Sequence, residues 1–192
     1  MSGNRVVMLL AVVVLDGCAS EPLQMRFDDS GSDGRVWPAP QTQEVPRYRY
    51  IGQLTGEANF KAPAEQTSAF KRALQWIVGL AEREPSPLVL QRPQSGTVDA
   101  RGRVLVTDVS RAAVFVFDEA AGKLELWERA GSAQHFVAPI GIANGRAGEL
   151  LVSDAELRIV VRLDAEGQPL GAIGAGLLKR PTGIARDAKQ GR

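Results

Sequence analysis

Cysteine and histidine are nearly absent from this chain, with Cys18 and His135 the sole members of their classes among 192 residues. A single thiol excludes an internal disulfide and any multi-cysteine zinc site, and a single imidazole excludes a three-histidine metal centre. No charge of one sign predominates: 23 Lys and Arg face 22 Asp and Glu, interspersed along the chain. No polybasic surface for a phosphate backbone is expected, and nucleic acid is not expected as a partner. Aromatic residues are sparse at 6%, but hydrophobic residues reach 44%, the composition of a folded domain. A long apolar run is missing too. The run Val6 to Leu15 has about half of the roughly 20 residues a membrane-crossing helix needs.

That short run follows Arg5 and precedes the small residues Gly17 and Ala19, the layout of a secretory signal peptide over residues 1–17. The tetrad LDGC that ends it resembles a bacterial lipobox through Leu15, Gly17 and Cys18, while Asp16 fills a slot that usually holds a small or apolar residue. The resemblance implies lipid attachment at Cys18 and membrane contact through that anchor. With Ala19 next in the chain, it also implies a cell-envelope lipoprotein on the periplasmic face of the outer membrane. The alternative is an ordinary cleaved signal that leaves a lone thiol.

Residues 18–46 are rich in Asp, Ser, Gly, Pro and Gln without sustained periodicity, and are expected to form a flexible leader after the lipid-attachment cysteine. Residues 47–85 are expected to hold a strand and a helix. RYRYIGQL, Arg47 to Leu54, alternates as a strand, with Tyr48 and Tyr50 on one face. From Pro63 to Glu84 the stripe Phe70, Leu74, Ile77 and Ala81 predicts an amphipathic helix, ended by Pro85.

From residue 86 onward the chain repeats itself. Pro93 and Pro139, Asp108 and Asp154, and Asp118 and Asp164 are each separated by 46 residues, and Pro139 and Pro181 by 42. A period of roughly 40 to 50 residues marks a repeat architecture. In the second unit four strands are predicted, at Gly141 to Asn144, Glu149 to Asp154, Ile159 to Asp164 and Pro169 to Gly174. Runs such as VLVTD and ELLVSD are apolar at nearly every position, so both faces of each unit should be covered. A repeated four-stranded antiparallel unit of that kind is a β-propeller blade. The motifs GRVLVTD with AVFVFDEAAGKL, GELLVSD with IVVRLDAEGQPL, and P-x-G-I-A in PIGIA and PTGIA resemble NHL repeats, which imply a six-bladed exported bacterial propeller. The expected fold is therefore mainly β: a partial propeller of two four-stranded antiparallel blades plus the first strand of a third, with one N-terminal helix. On this reading the chain is a fragment, truncated inside a repeat. RYRYIGQL is a candidate closing strand, and apolar faces are left uncovered at both ends.

Asp108, Asp118, Asp154 and Asp164 recur once per unit, which fits turn-forming carboxylates better than a catalyst needed once. No catalytic residue, metal site or cofactor is assigned. His135 falls on a loop at a blade junction without a second ligand-type residue beside it, and Trp127 and Phe136 are expected to pack between blades. The resemblance implies a noncatalytic platform that binds a protein or envelope ligand on its loops. It also leaves open a hydrolase or lyase of the lactonase-like type with a divalent metal at the central channel.

Overall fold

The computed structural model describes residues 23–31, 33–42, 44–61, 87–187 and 189–190. The signal-peptide segment, Cys18 and the helix expected over Pro63 to Glu84 lie outside these residues. Among the described residues the fold is mainly β; the one helical element is a single 3-10 turn at Glu57–Asn59, and no helix is long and apolar enough to cross a membrane.

Four two-residue strands come first: β1 (Gln24–Met25), β2 (Val36–Trp37), β3 (Tyr48–Arg49) and β4 (Phe60–Lys61), with β1 paired to β4 and β2 to β3, both antiparallel. β1 and β2 fall in the segment read from sequence as a leader. RYRYIGQL is extended differently from expectation. Only Tyr48–Arg49 pairs as a strand, its partner is the ribbon strand β2, and it joins neither four-stranded sheet. Tyr48 is exposed while Tyr50 is half-buried.

Two four-stranded meanders follow. The first runs β5 (Pro93–Val98), β6 (Val104–Asp108), β7 (Ala113–Asp118), β8 (Lys123–Trp127); the second runs β9 (Pro139–Asn144), β10 (Leu150–Asp154), β11 (Ile159–Leu163), β12 (Pro169–Ile173). Neighbours in sequence are neighbours in each sheet, and every pair is antiparallel. The sheets share an irregularity: register slips between Pro93 and Ser95 in one and between Ser153 and Asp154 in the other, the same place on the repeat.

The sheets stack face to face. Leu105, Val114, Val116 and Trp127 of the first meet Ile142, Leu150, Val152, Ile159, Val161 and Leu163 of the second in one buried cluster. This explains the nearly unbroken apolar runs. β7 must satisfy a neighbour on each side, and its opposite face, Phe115 and Phe117, packs with Phe60, Met25, Leu54, Leu88 and Leu90. The Phe60 and Phe117 rings lie 6.2 Å apart, nearly parallel. The outer face of the first sheet is thus covered by the N-terminal segment, contrary to the expectation of bare faces at both ends. That cover is pinned by Asn59, which is buried. Its Oδ1 accepts from Thr55 N (2.7 Å) and Gly56 N (3.0 Å), and its Nδ2 donates to Arg26 O (2.8 Å) and Gln53 O (3.0 Å).

The segment from Pro181 to Asp187 is not a strand, which corrects the expected first strand of a third blade. An inner strand earns its assignment from the next strand of its own unit, and the described residues supply none. Its path is still that of β9. Thr107 Oγ1 donates to Ile140 O (2.7 Å), which ties the first sheet to the second, and Ser153 Oγ donates to Thr182 O one repeat on.

Candidate functional site

Antiparallel meanders place alternate turns at opposite ends. One end of the stacked sheets carries the residues before β5 and the β6–β7, β8–β9 and β10–β11 connections, together with the chain after β12. Asp108 and Asp154 close the second strands there, both fully buried. The Asp154 Oδ2 accepts from the N–H groups of Val137 (2.8 Å) and Ala138 (3.0 Å), and Oδ1 from Glu156 and Leu157 (3.0 Å each). Asp108 repeats this with Gln91 (2.6 Å), Arg92 (2.8 Å) and Arg111 (3.0 Å), each donor 46 residues before its counterpart. The chain entering each sheet and the turn between its second and third strands are therefore tied to a single carboxylate. The turn itself needs positive φ, adopted by Ala112 (50°) and by its equivalent Arg158 (61°).

At the other end Asp118 accepts from Ala121 N (2.8 Å), and Asp164 from Glu166 N (2.9 Å) and Gln168 N (2.7 Å). An open depression of about 320 Å³ lies there, lined by Arg101, Gly102, Arg103, Asp118, Glu119 and Ala120. Beneath it Arg103 is buried, with Nε donating to Asp99 Oδ2 (2.7 Å), Nη2 to Ala165 O (2.6 Å), and the guanidinium carbon 5.3 Å from the Trp127 ring. Burial opposes ionisation of Asp99. The hydrogen bonds from the Arg103 side chain and the Arg103 and Arg101 backbone, with the Arg103 charge, outweigh it and hold the carboxyl below its usual value. This cluster was not legible in the repeat, because Gly145 and Glu149 stand at the positions equivalent to Asp99 and Arg103. Thr107 and Ser153 were missed too, although both precede the repeated aspartate in VTD and VSD.

His135 is exposed and bridges Arg129 across the β8–β9 connection, while Trp127 and Phe136 lie in the core between the sheets. Among the described residues no three His, Cys, Asp or Glu side chains gather as metal ligands. The end that carries His135 has a different character. Arg92, Arg111, Arg129, Arg158, Lys179 and Arg180 lie on its several loops, with Arg111 Nε donating to Val89 O (3.3 Å) and Arg129 Nη2 to Ser132 O (2.9 Å). Among the described residues the exposed carboxylates at this end include Glu57, which accepts from Leu88 N (3.1 Å), Glu128, and Glu156, 3.5 Å from Arg180.

Two antiparallel four-stranded meanders stacked through their faces define a β-propeller-like fold. No family model and no curated protein matches the chain. Among solved structures it is similar to selenomethionine-substituted virginiamycin B lyase from Staphylococcus aureus at 15% identity and TM-score 0.36, over 42% of this chain and 26% of that one. It is also similar to a catalytically inactive form of that lyase with quinupristin, at 15% identity and TM-score 0.41, over 53% of this chain and 36% of that one.

Proposed function

We propose that the chain is part of an exported, lipid-anchored propeller of NHL type that acts as a noncatalytic platform, binding an anionic protein or envelope ligand at the loop end that bears His135. On this reading residues 1–17 are a signal peptide and Cys18 carries the lipid. The observation behind the platform reading is what Asp108 and Asp154 do. Fully buried, they spend their lone pairs on backbone N–H groups of the loops themselves. The carboxylates most repeated in the sequence hold loops in place, and cations drawn from separate loops outnumber the exposed carboxylates at that end, a surface suited to recognition of opposite charge.

Photo-crosslinking residues placed at Ser132, Ala133 and Glu156 test this against Ala120 and Ala147 at the opposite end. The platform reading expects one dominant adduct from the first group and none from the second. Equal labelling at both ends would overturn this reading, and stoichiometric, tightly held divalent metal with turnover of a lactone would support the enzyme reading in its place.

A further inference from the structure

The N-terminal cover carries a feature that neither the repeat nor the loop platform uses. Between Arg35 and Ile51 the chain leaves the domain as a two-stranded ribbon, closed by Arg47 N to Trp37 O (2.7 Å) and Tyr50 N to Arg35 O (2.9 Å). Trp37 and Tyr48 are direct register partners, so their side chains stand on one face, and they are 51% and 71% exposed. Val45 at 81% and Ile51 at 66% belong to the same excursion. Single exposed apolar residues are ordinary, but a Trp and a Tyr paired side by side on one face of a short ribbon form a patch. Its charge is divided between the paired strands and their base. Within residues 35–51 Arg35, Arg47 and Arg49 outnumber the single carboxylate, Glu44, paired with Arg47 at 3.2 Å, while the acidic residues Asp28, Asp29 and Asp33 lie at or before the base.

The ribbon is fastened at its base. Just beyond its open end, Asp28 and Gln53 exchange backbone hydrogen bonds of 2.9 Å in both directions, and Asn59 fastens Gln53 and Arg26 to the body of the fold. We infer that this ribbon is a bilayer-contact surface, with Trp37 and Tyr48 seated at the headgroup boundary of an anionic membrane and the arginines on its phosphates. Trp and Tyr have an apolar body and a polar tip that suit that boundary, and Arg buries its stem while its head stays among headgroups.

A bilayer rather than an acidic protein is favoured by the length of chain before the ribbon. Cys18 and Gln24, the first residue of β1, are six residues apart, a reach of about 20 Å even when fully extended. This step rests on the lipid-anchored reading above. An acyl chain at Cys18 would hold the start of β1 within that distance of the membrane, and the base of the ribbon at Asp28, ten residues from Cys18, within about 35 Å.

The test uses the full chain carrying Cys18→Ser, which removes the anchor, in flotation with vesicles of phosphatidylcholine alone or mixed with phosphatidylglycerol. The apolar run Val6 to Leu15 is common to all variants and contributes equally to each. Trp37→Ser/Tyr48→Ser should lower partition into the anionic vesicles at least tenfold, and Trp37→Phe/Tyr48→Phe should retain most of it. Arg35→Glu/Arg49→Glu should abolish the preference for anionic over neutral vesicles. These side chains are exposed, so the urea midpoint should not move, and the conservative pair decides the matter if the serine pair unfolds. Equal flotation of all ribbon variants overturns the inference and points to a protein partner. Failure of the anchor reading is read elsewhere: Cys18→Ser leaves cellular membrane partition unchanged, while the vesicle result stands.

Discussion

Asp154→Ala offers the sharpest test of how the repeat is held. The carboxylate is fully buried and accepts four backbone N–H groups, two from the connection between sheets and two from the β10–β11 turn. Of these donors Ala138 N is buried, and stranding it costs about 1 to 3 kcal/mol. The remaining three are partly reachable by water and lose only a net hydrogen bond, about 0.5 kcal/mol each. Relief of the desolvated charge offsets part of this, which leaves an expected loss of about 2 to 4 kcal/mol. Against the 5 to 15 kcal/mol typical of a domain, that is a large fraction. Asp154→Asn should not rescue it, because the new amide group points donors at donors. Asp108→Ala should cost somewhat less, since that carboxylate accepts from three N–H groups rather than four. Urea unfolding followed by far-UV circular dichroism measures these differences directly. A loss below about 1 kcal/mol for Asp154→Ala, or a loss of ligand binding at unchanged stability, would refute the argument and make Asp154 part of a site.

Further expectations concern the contacts between sheets. Gly167→Ala places a methyl group inside the Trp127 indole at a φ of +78°, so it should cost more than about 3 kcal/mol and red-shift tryptophan emission; a neutral outcome would deny that the β11–β12 turn packs on Trp127. Gly141→Ala brings a methyl against Thr182 O and within 2.8 Å of Ser153 Oγ, and should release the segment from Pro181, seen as faster amide exchange at Ile184 with the β10–β11 amides unchanged. The carboxyl of Asp99 is depressed in the fold below its ordinary 3.8, so its contribution is present in full above that value and is lost as pH falls through the folded one. Asp99→Asn should therefore destabilise at neutral pH and flatten the acid side of the stability profile; parallel profiles for the two proteins would refute this.

Much of the fold was legible because the repeat states it twice. The strands expected in the second unit coincide with β9 to β12 to within two residues at each end, since each is a short, largely apolar run bounded by its own Asp or Gly turn. Positions 108 and 154 could be paired on spacing alone. The Arg103 cluster could not, because it occurs once. Its carbonyl partner Ala165 is 62 residues away in the other sheet, and no local pattern announces such a contact. Nor could the N-terminal cover be read. Two-residue strands are too short for a period, and residues such as Met25, Leu54 and Phe60 look like isolated apolar residues until they close on Phe115 and Phe117.

The sequence by itself determined the local periods: a β chain, repeated, with its turns in place and its apolar residues on both faces of each unit. Only the tertiary structure decided what those faces meet. One face of the first sheet lies on the second sheet and the other on the N-terminal segment, while Leu151, Val160 and Arg162, the counterparts of buried Leu105, Val114 and Val116, remain half-buried. The physical reason is that alternation along a strand records that a side chain prefers to leave water. Which surface takes it in is settled by segments far apart in the chain, through packing that carries no period.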